Sequence, residues 1–62
     1  MNIKVLREEK GMSQLQLAEA LGVTRSTVAM WEIGQSKPRF DVLVDIAKLF
    51  DCTVDELIKK EK

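Results

Sequence analysis

The chain of 62 residues has no histidine or tyrosine, and only one cysteine, one proline, one tryptophan and three glycines. Each scarcity excludes something. Cys52 has no second thiol to pair with, so a disulfide framework is out and a reducing cytosol is the natural home. With no histidine and a single thiol, a structural zinc ion would lack a donor set. The apolar runs fall far short of the ~20 residues a membrane-spanning helix needs, and the N-terminus has no apolar signal core. An enzyme reading finds no nucleophile paired with a base, no phosphate-cradling loop and no metal cluster. The chain is therefore expected to be no enzyme, to take no cofactor or small-molecule ligand, and to meet no membrane.

What is present reads as one soluble domain over residues 1–62: 45% of residues are hydrophobic and 32% charged. Such a length is near the lower limit for folding without metal or disulfide help. The formal net charge is zero, but it is spread unevenly. From Gly11 to Phe40, Arg25, Lys37 and Arg39 stand against Glu19 and Glu32. From Asp41 onward, Lys48, Lys59, Lys60 and Lys62 stand against Asp41, Asp45, Asp51, Asp55, Glu56 and Glu61. The middle of the chain is mildly basic and its last third acidic.

Strand alternation is absent, and the apolar spacing predicts five short helices. The first spans about Asn2 to Lys10, with Ile3 and Leu6 inward, and Gly11 stops it. Ser13 caps the second, Gln14 to Leu21, which turns Leu17, Ala18 and Leu21 to one side and ends at Gly22. Thr24 caps the third, Arg25 to about Ile33, with Val28 and Trp31 inward and Gly34 beyond its end. A polar loop, Gln35 to Arg39, is closed by Pro38. The fourth helix runs from about Phe40 to Phe50 and points Leu43, Ile46, Ala47 and Phe50 inward. Thr53 and Glu56 form a capping box for the fifth, Val54 to about Lys59. Lys59 to Lys62 read as a solvated tail.

The segment Gln14 to Ile33 is the informative one. Two helices joined only by Gly22, Val23 and Thr24 must cross steeply and touch near the turn. The residue nearest the crossing has to be small, and Ala18 is there. The turn has to allow positive φ, and Gly22 is there. Leu17, Leu21, Val23, Val28 and Trp31 supply the apolar surface to be buried. Together these features are a strong joint signal for a helix-turn-helix.

The order Ser13-Gln14, Leu17-Ala18, Leu21-Gly22-Val23-Thr24, Val28, Trp31-Glu32, Gly34 and Lys37-Pro38 resembles the Cro/repressor-type (XRE-like) regulators. The likeness continues through Leu43, Ile46-Ala47 and Leu49-Phe50 to Val54-Asp55-Glu56-Leu57. It implies an all-α, lambda-repressor-like five-helix bundle. It also implies a sequence-specific regulator of transcription, of the repressor kind, bound to double-stranded operator DNA as a homodimer. The second motif helix would lie in the major groove, with Arg25 and Ser26 at the end where side chains reach base edges. Arg25 is the candidate for a bidentate contact to guanine and Met30 for a thymine methyl. Ser13 and Gln14 would meet a phosphate at the start of the first motif helix, by backbone N–H and side-chain amide. Thr24 and Thr27 flank the reading residues. Lys37 and Arg39 would meet the operator backbone. The resemblance also pairs Arg7 with Glu32, as a structural tie between the first helix and the recognition helix.

Two positions depart from the family pattern. Ile33 stands where relatives often carry asparagine, which removes a polar side chain from the DNA side. Asp51 stands where glycine is common, and aspartate tolerates a left-handed turn less well. Neutral net charge predicts few phosphate contacts per subunit and so favours a dimer. Val44, Val54, Leu57 and Ile58 are the apolar candidates for that interface, Leu57 being equally readable as a cap on the monomer core. The competing reading is a protein-interaction module, such as an antitoxin or adaptor, whose acidic last third meets a partner.

Overall fold

A computed structural model describes residues 1–59. Its helices are α1 (Ile3–Glu9), α2 (Gln14–Leu21), α3 (Arg25–Glu32), α4 (Phe40–Leu49) and α5 (Val54–Ile58). All five expected helices form, and their order is the one the spacing predicts. Their ends are tighter than expected. Asn2, Lys10, Ile33, Phe50 and Lys59 sit at cap positions rather than inside helices, because each lies where the regular bond ladder has run out. Of the solvated tail, only Lys59 is described, and it is exposed. The remainder lies outside the described residues.

Three of the helices start on a hydroxyl. Ser13, Thr24 and Thr53 each accept a hydrogen bond from the backbone N–H three residues on, which satisfies one donor of the first turn. Four helices end alike. The N–H of Met12, Val23, Gln35 and Cys52 donates to the carbonyl five residues back, on Arg7, Ala18, Met30 and Ala47, at 2.9–3.0 Å. The residue just before each donor is left-handed: Gly11, Gly22, Gly34 and Asp51. Asp51, with φ 56°, does what the other three glycines do, and carries the strain of a Cβ there.

Ile3, Leu17, Ala18, Val28, Trp31, Ile46, Ala47, Phe50 and Leu57 form the core, and Leu6, Leu21, Val23, Leu43 and Val54 pack half-buried against it. Fully burying one such aliphatic side chain contributes roughly 1.5–3 kcal/mol. The α2 helix packs chiefly on α3 and α4 chiefly on α5, while α1 touches α3. Leu57 is 0% exposed, so it is a core residue and is removed from the dimer candidates. The fifth helix is short, and the chain's other end holds it. Asn2 donates its backbone N–H to the Leu57 carbonyl at 2.8 Å and its side-chain amide to the Glu56 carbonyl at 3.0 Å. These bonds fill carbonyls that a helix end leaves unsatisfied. No helix among the described residues is long and apolar enough to cross a membrane.

Candidate nucleic-acid interface

The α3 helix has a buried side and an open side. Val28 and Trp31 are buried, which fixes its rotation about its own axis. Arg25, Ser26 and Met30 are then exposed, Ile33 follows exposed at the cap, and Ala29 and Thr27 are half-buried. Ala18, 1% exposed, lies in the core on α2, the helix that packs chiefly on α3. Gly22 closes the turn at φ +73°, where a residue with a Cβ would be strained.

The first turn of α3 is tied by Thr24, whose Oγ1 accepts the Thr27 N–H at 3.2 Å and lies 2.9 Å from the Thr27 hydroxyl. At the start of α2, the Ser13 hydroxyl accepts the Gln16 N–H at 3.0 Å. The Gln16 side-chain oxygen accepts the Ser13 N–H at 2.8 Å. This is a reciprocal capping box. Sequence reading had assigned only the cap, yet the Ser-x-x-Gln spacing was the signal for the whole box. Ser13 keeps its hydroxyl hydrogen as a donor.

The far end of α3 is anchored by charge. Arg7 Nε donates to Glu32 Oε2 at 2.7 Å and Nη2 to Oε1 at 3.2 Å, a two-pronged contact. Arg7 Nη1 donates to the Met12 carbonyl at 2.7 Å, so the same guanidinium also holds the α1–α2 turn. The two side chains are only 10% and 4% exposed. Burial pushes the Glu32 carboxyl upward, but hydrogen bonds from Arg7 and Gln14 and the nearby positive charges outweigh it, and its pKa falls below the ordinary value. The hydrogen bond to Glu32 raises the Arg7 pKa against the opposing effect of burial. The pair that resemblance suggested is thus a buried tie rather than a surface contact.

Gln14 is placed differently from its expectation. Its side-chain Nε2 donates to Glu32 Oε1 at 3.0 Å, and its Oε1 accepts from Arg25 Nη1 at 3.5 Å. The amide expected to meet a phosphate is therefore engaged inside the protein. Lys37 and Arg39 are exposed on either side of Pro38, which is buried and pins the loop between them. The charge balance of this region also changes on folding. Glu32 is neutralised by Arg7, which leaves exposed Arg25, Lys37 and Arg39 against exposed Glu19. The surface is more basic than a count along the chain suggests.

Among the described residues no group of histidine, cysteine, aspartate and glutamate is arranged to hold a metal ion. Burial, with Glu56 and Asp51 nearby, pushes the Cys52 thiol above its ordinary pKa, the opposite of an activated nucleophile.

A short all-helical bundle with a tight α2–α3 turn and an open, anchored α3 defines the helix-turn-helix class. The chain belongs to the helix-turn-helix family, whose pattern it matches over residues 3–57. It is 40% identical over 60 residues to the HTH-type transcriptional activator BcrR of Enterococcus faecalis, covering 97% of this chain and 29% of that protein. It is 42% identical over 57 residues to the HTH-type transcriptional regulator AnsR of Bacillus subtilis, covering 92% and 49%. It is 37% identical over 60 residues to the uncharacterized HTH-type transcriptional regulator YgzD of Bacillus subtilis, covering 97% and 91%. The chain thus spans half or less of BcrR and AnsR, and nearly all of YgzD.

Proposed function

We propose that this chain is a sequence-specific, double-stranded-DNA-binding transcriptional regulator that inserts α3 into the major groove. The observation that carries this is the exposed Arg25–Ser26 end of α3, set on a helix whose other end is locked by Arg7 and Glu32. Arg25 reads a guanine edge, Ser26 lies beside it, and Met30 contacts a thymine methyl one turn on. Ser13, the backbone at Gln14, Thr24, Thr27, Lys37 and Arg39 position the domain on phosphates. Membership of a family with members named transcriptional regulators supports this reading.

The domain acts as a homodimer on two half-sites about one helical turn apart, because one module reads too few bases for operator-level specificity. Ile58, 46% exposed, and half-buried Val44 and Val54 supply apolar surface for that contact. Occupying a promoter this way represses it by occlusion. The protein works in the cytoplasm, where its single thiol stays reduced.

The test is selection from a pool of randomised duplexes, with a mass measurement of the free and bound protein. A short inverted repeat and a dimer on it are expected. Enrichment of no sequence, even at low salt, would sink the reading in favour of a protein-interaction module such as an antitoxin or adaptor.

A further inference from the structure

Glu32 serves two partners with one carboxylate. Arg7 takes both oxygens, and Gln14 Nε2 donates to Oε1 at 3.0 Å. An ionised carboxylate only accepts hydrogen bonds, so the part of the Gln14 amide facing it has to be the NH2 group. The amide oxygen is then turned the other way, where Arg25 Nη1 approaches to 3.5 Å. A guanidinium only donates, so it requires the oxygen. A flipped amide would set oxygen against the Glu32 carboxylate and NH2 against the Arg25 cation. Both neighbours select the same orientation.

We propose that Glu32, acting through Gln14, is a positioning residue for Arg25. The carboxylate that ties α3 to α1 also fixes the polarity of the Gln14 amide, which then presents an acceptor to the Arg25 guanidinium. This rests on the reading of Arg25 as a base-reading side chain. A contact of 3.5 Å is at the long end of the hydrogen-bond range, so it biases the direction of Arg25 rather than locking it. A long, flexible side chain gives up rotamer freedom on binding, and prior bias lowers that cost for the one direction that reaches the base. Gln14 contributes base discrimination by this route, and its side chain is no phosphate grip.

The test uses the duplex enriched by selection and its single-base variants. Arg25→Ala first identifies the base pair that Arg25 reads. At that base pair Gln14→Met, which keeps side-chain length at a half-buried site, is expected to lower discrimination by about three- to tenfold, the worth of one hydrogen bond. Binding to unrelated DNA should be unchanged. Glu32→Gln should give the same loss, and the double variant no more than either single one. Arg7→Met separates positioning from stability: it removes the ion pair but leaves Glu32 to hold Gln14, so melting temperature falls while discrimination stays.

The proposal is overturned if Gln14→Met weakens every duplex equally with discrimination intact, or if discrimination simply tracks melting temperature through Arg7→Met. Should Glu32→Gln fail to fold, Gln14→Met decides alone. Discrimination lost in Arg25→Ala but kept in Gln14→Met removes only the positioning role. Discrimination unchanged in Arg25→Ala removes base reading by Arg25, and the positioning role with it.

Discussion

The turn from α2 to α3 and the loop from α3 to α4 leave their helices through the same bond. Val23 N donates to Ala18 O at 3.0 Å, and Gln35 N to Met30 O at 2.9 Å. After that they differ. Behind Val23 comes Thr24, which caps α3 at once, and the joints before α2 and α5 repeat this plan with Met12-Ser13 and Cys52-Thr53. Behind Gln35 come Ser36 to Arg39 before α4 begins, and Arg39 makes no side-chain cap bond. In the three tight joints every residue is used in building the bundle. In the longer loop only Pro38 is buried, and Lys37 and Arg39 are left pointing to solvent. Side chains that folding does not use are the ones available to a partner. The tight joints should therefore govern stability and the loop should govern affinity.

The contrast can be broken at several points. The largest effect belongs to the Arg7–Glu32 tie, which closes the α1–α2 joint and anchors the end of α3. Arg7→Met should destabilise the fold by about 3–5 kcal/mol, because a buried carboxylate is left without its partner. Chemical denaturation measures this, and its pH dependence carries a sign. The folded pKa of Glu32 is lowered, so the stability it contributes is fully present above the ordinary carboxylate value of about 4.3 and is lost as pH falls through the lower folded value. That part of the acid limb should vanish in Arg7→Met.

Next in size is Gly22→Ala, expected to cost about 1–2 kcal/mol through left-handed strain alone, since an added Cβ meets nothing within 4 Å. Its salt dependence of DNA binding should stay unchanged once the protein is folded. A change in that slope would erase the distinction between joint and loop. Asn2→Ala should cost about 1 kcal/mol by removing the side-chain bond to the Glu56 carbonyl, again without effect on the salt slope. In the loop, Lys37→Ala should alter stability by less than about 0.5 kcal/mol. It should nevertheless reduce the slope of log K against log salt by about one, seen by titration at several salt concentrations.

Much of this was legible along the chain. Helix existence and order came from apolar spacing, and the starts of α2, α3 and α5 from Ser13, Thr24 and Thr53. The stops came from Gly11, Gly22 and Gly34, and the core from Leu17, Ala18, Val28, Trp31, Ile46 and Phe50. The spacing of Arg25 and Ser26 against Val28 and Trp31 also put the reading residues on the outer face. Resemblance, rather than spacing, pointed to Arg7 and Glu32. The role of Leu57 stayed divided until burial assigned it to the core, and the amide of Gln14 was read toward phosphate when it faces Glu32. Asn2 gave no sign of its hold on α5.

What the sequence by itself determined, then, is everything whose physics is local. A cap reaches three residues, a helix stop five, and an amphipathic stripe repeats every turn, so each is written in neighbouring letters. What only the tertiary structure decided lies between distant letters. Arg7 and Glu32 are 25 positions apart, Gln14 and Glu32 are 18, and Asn2 and Glu56 are 54. No local rule orders such pairs. They meet because burying Val28, Trp31 and Leu57 in one core brings the ends of α1, α2, α3 and α5 together, and there the donors and acceptors sort themselves by charge.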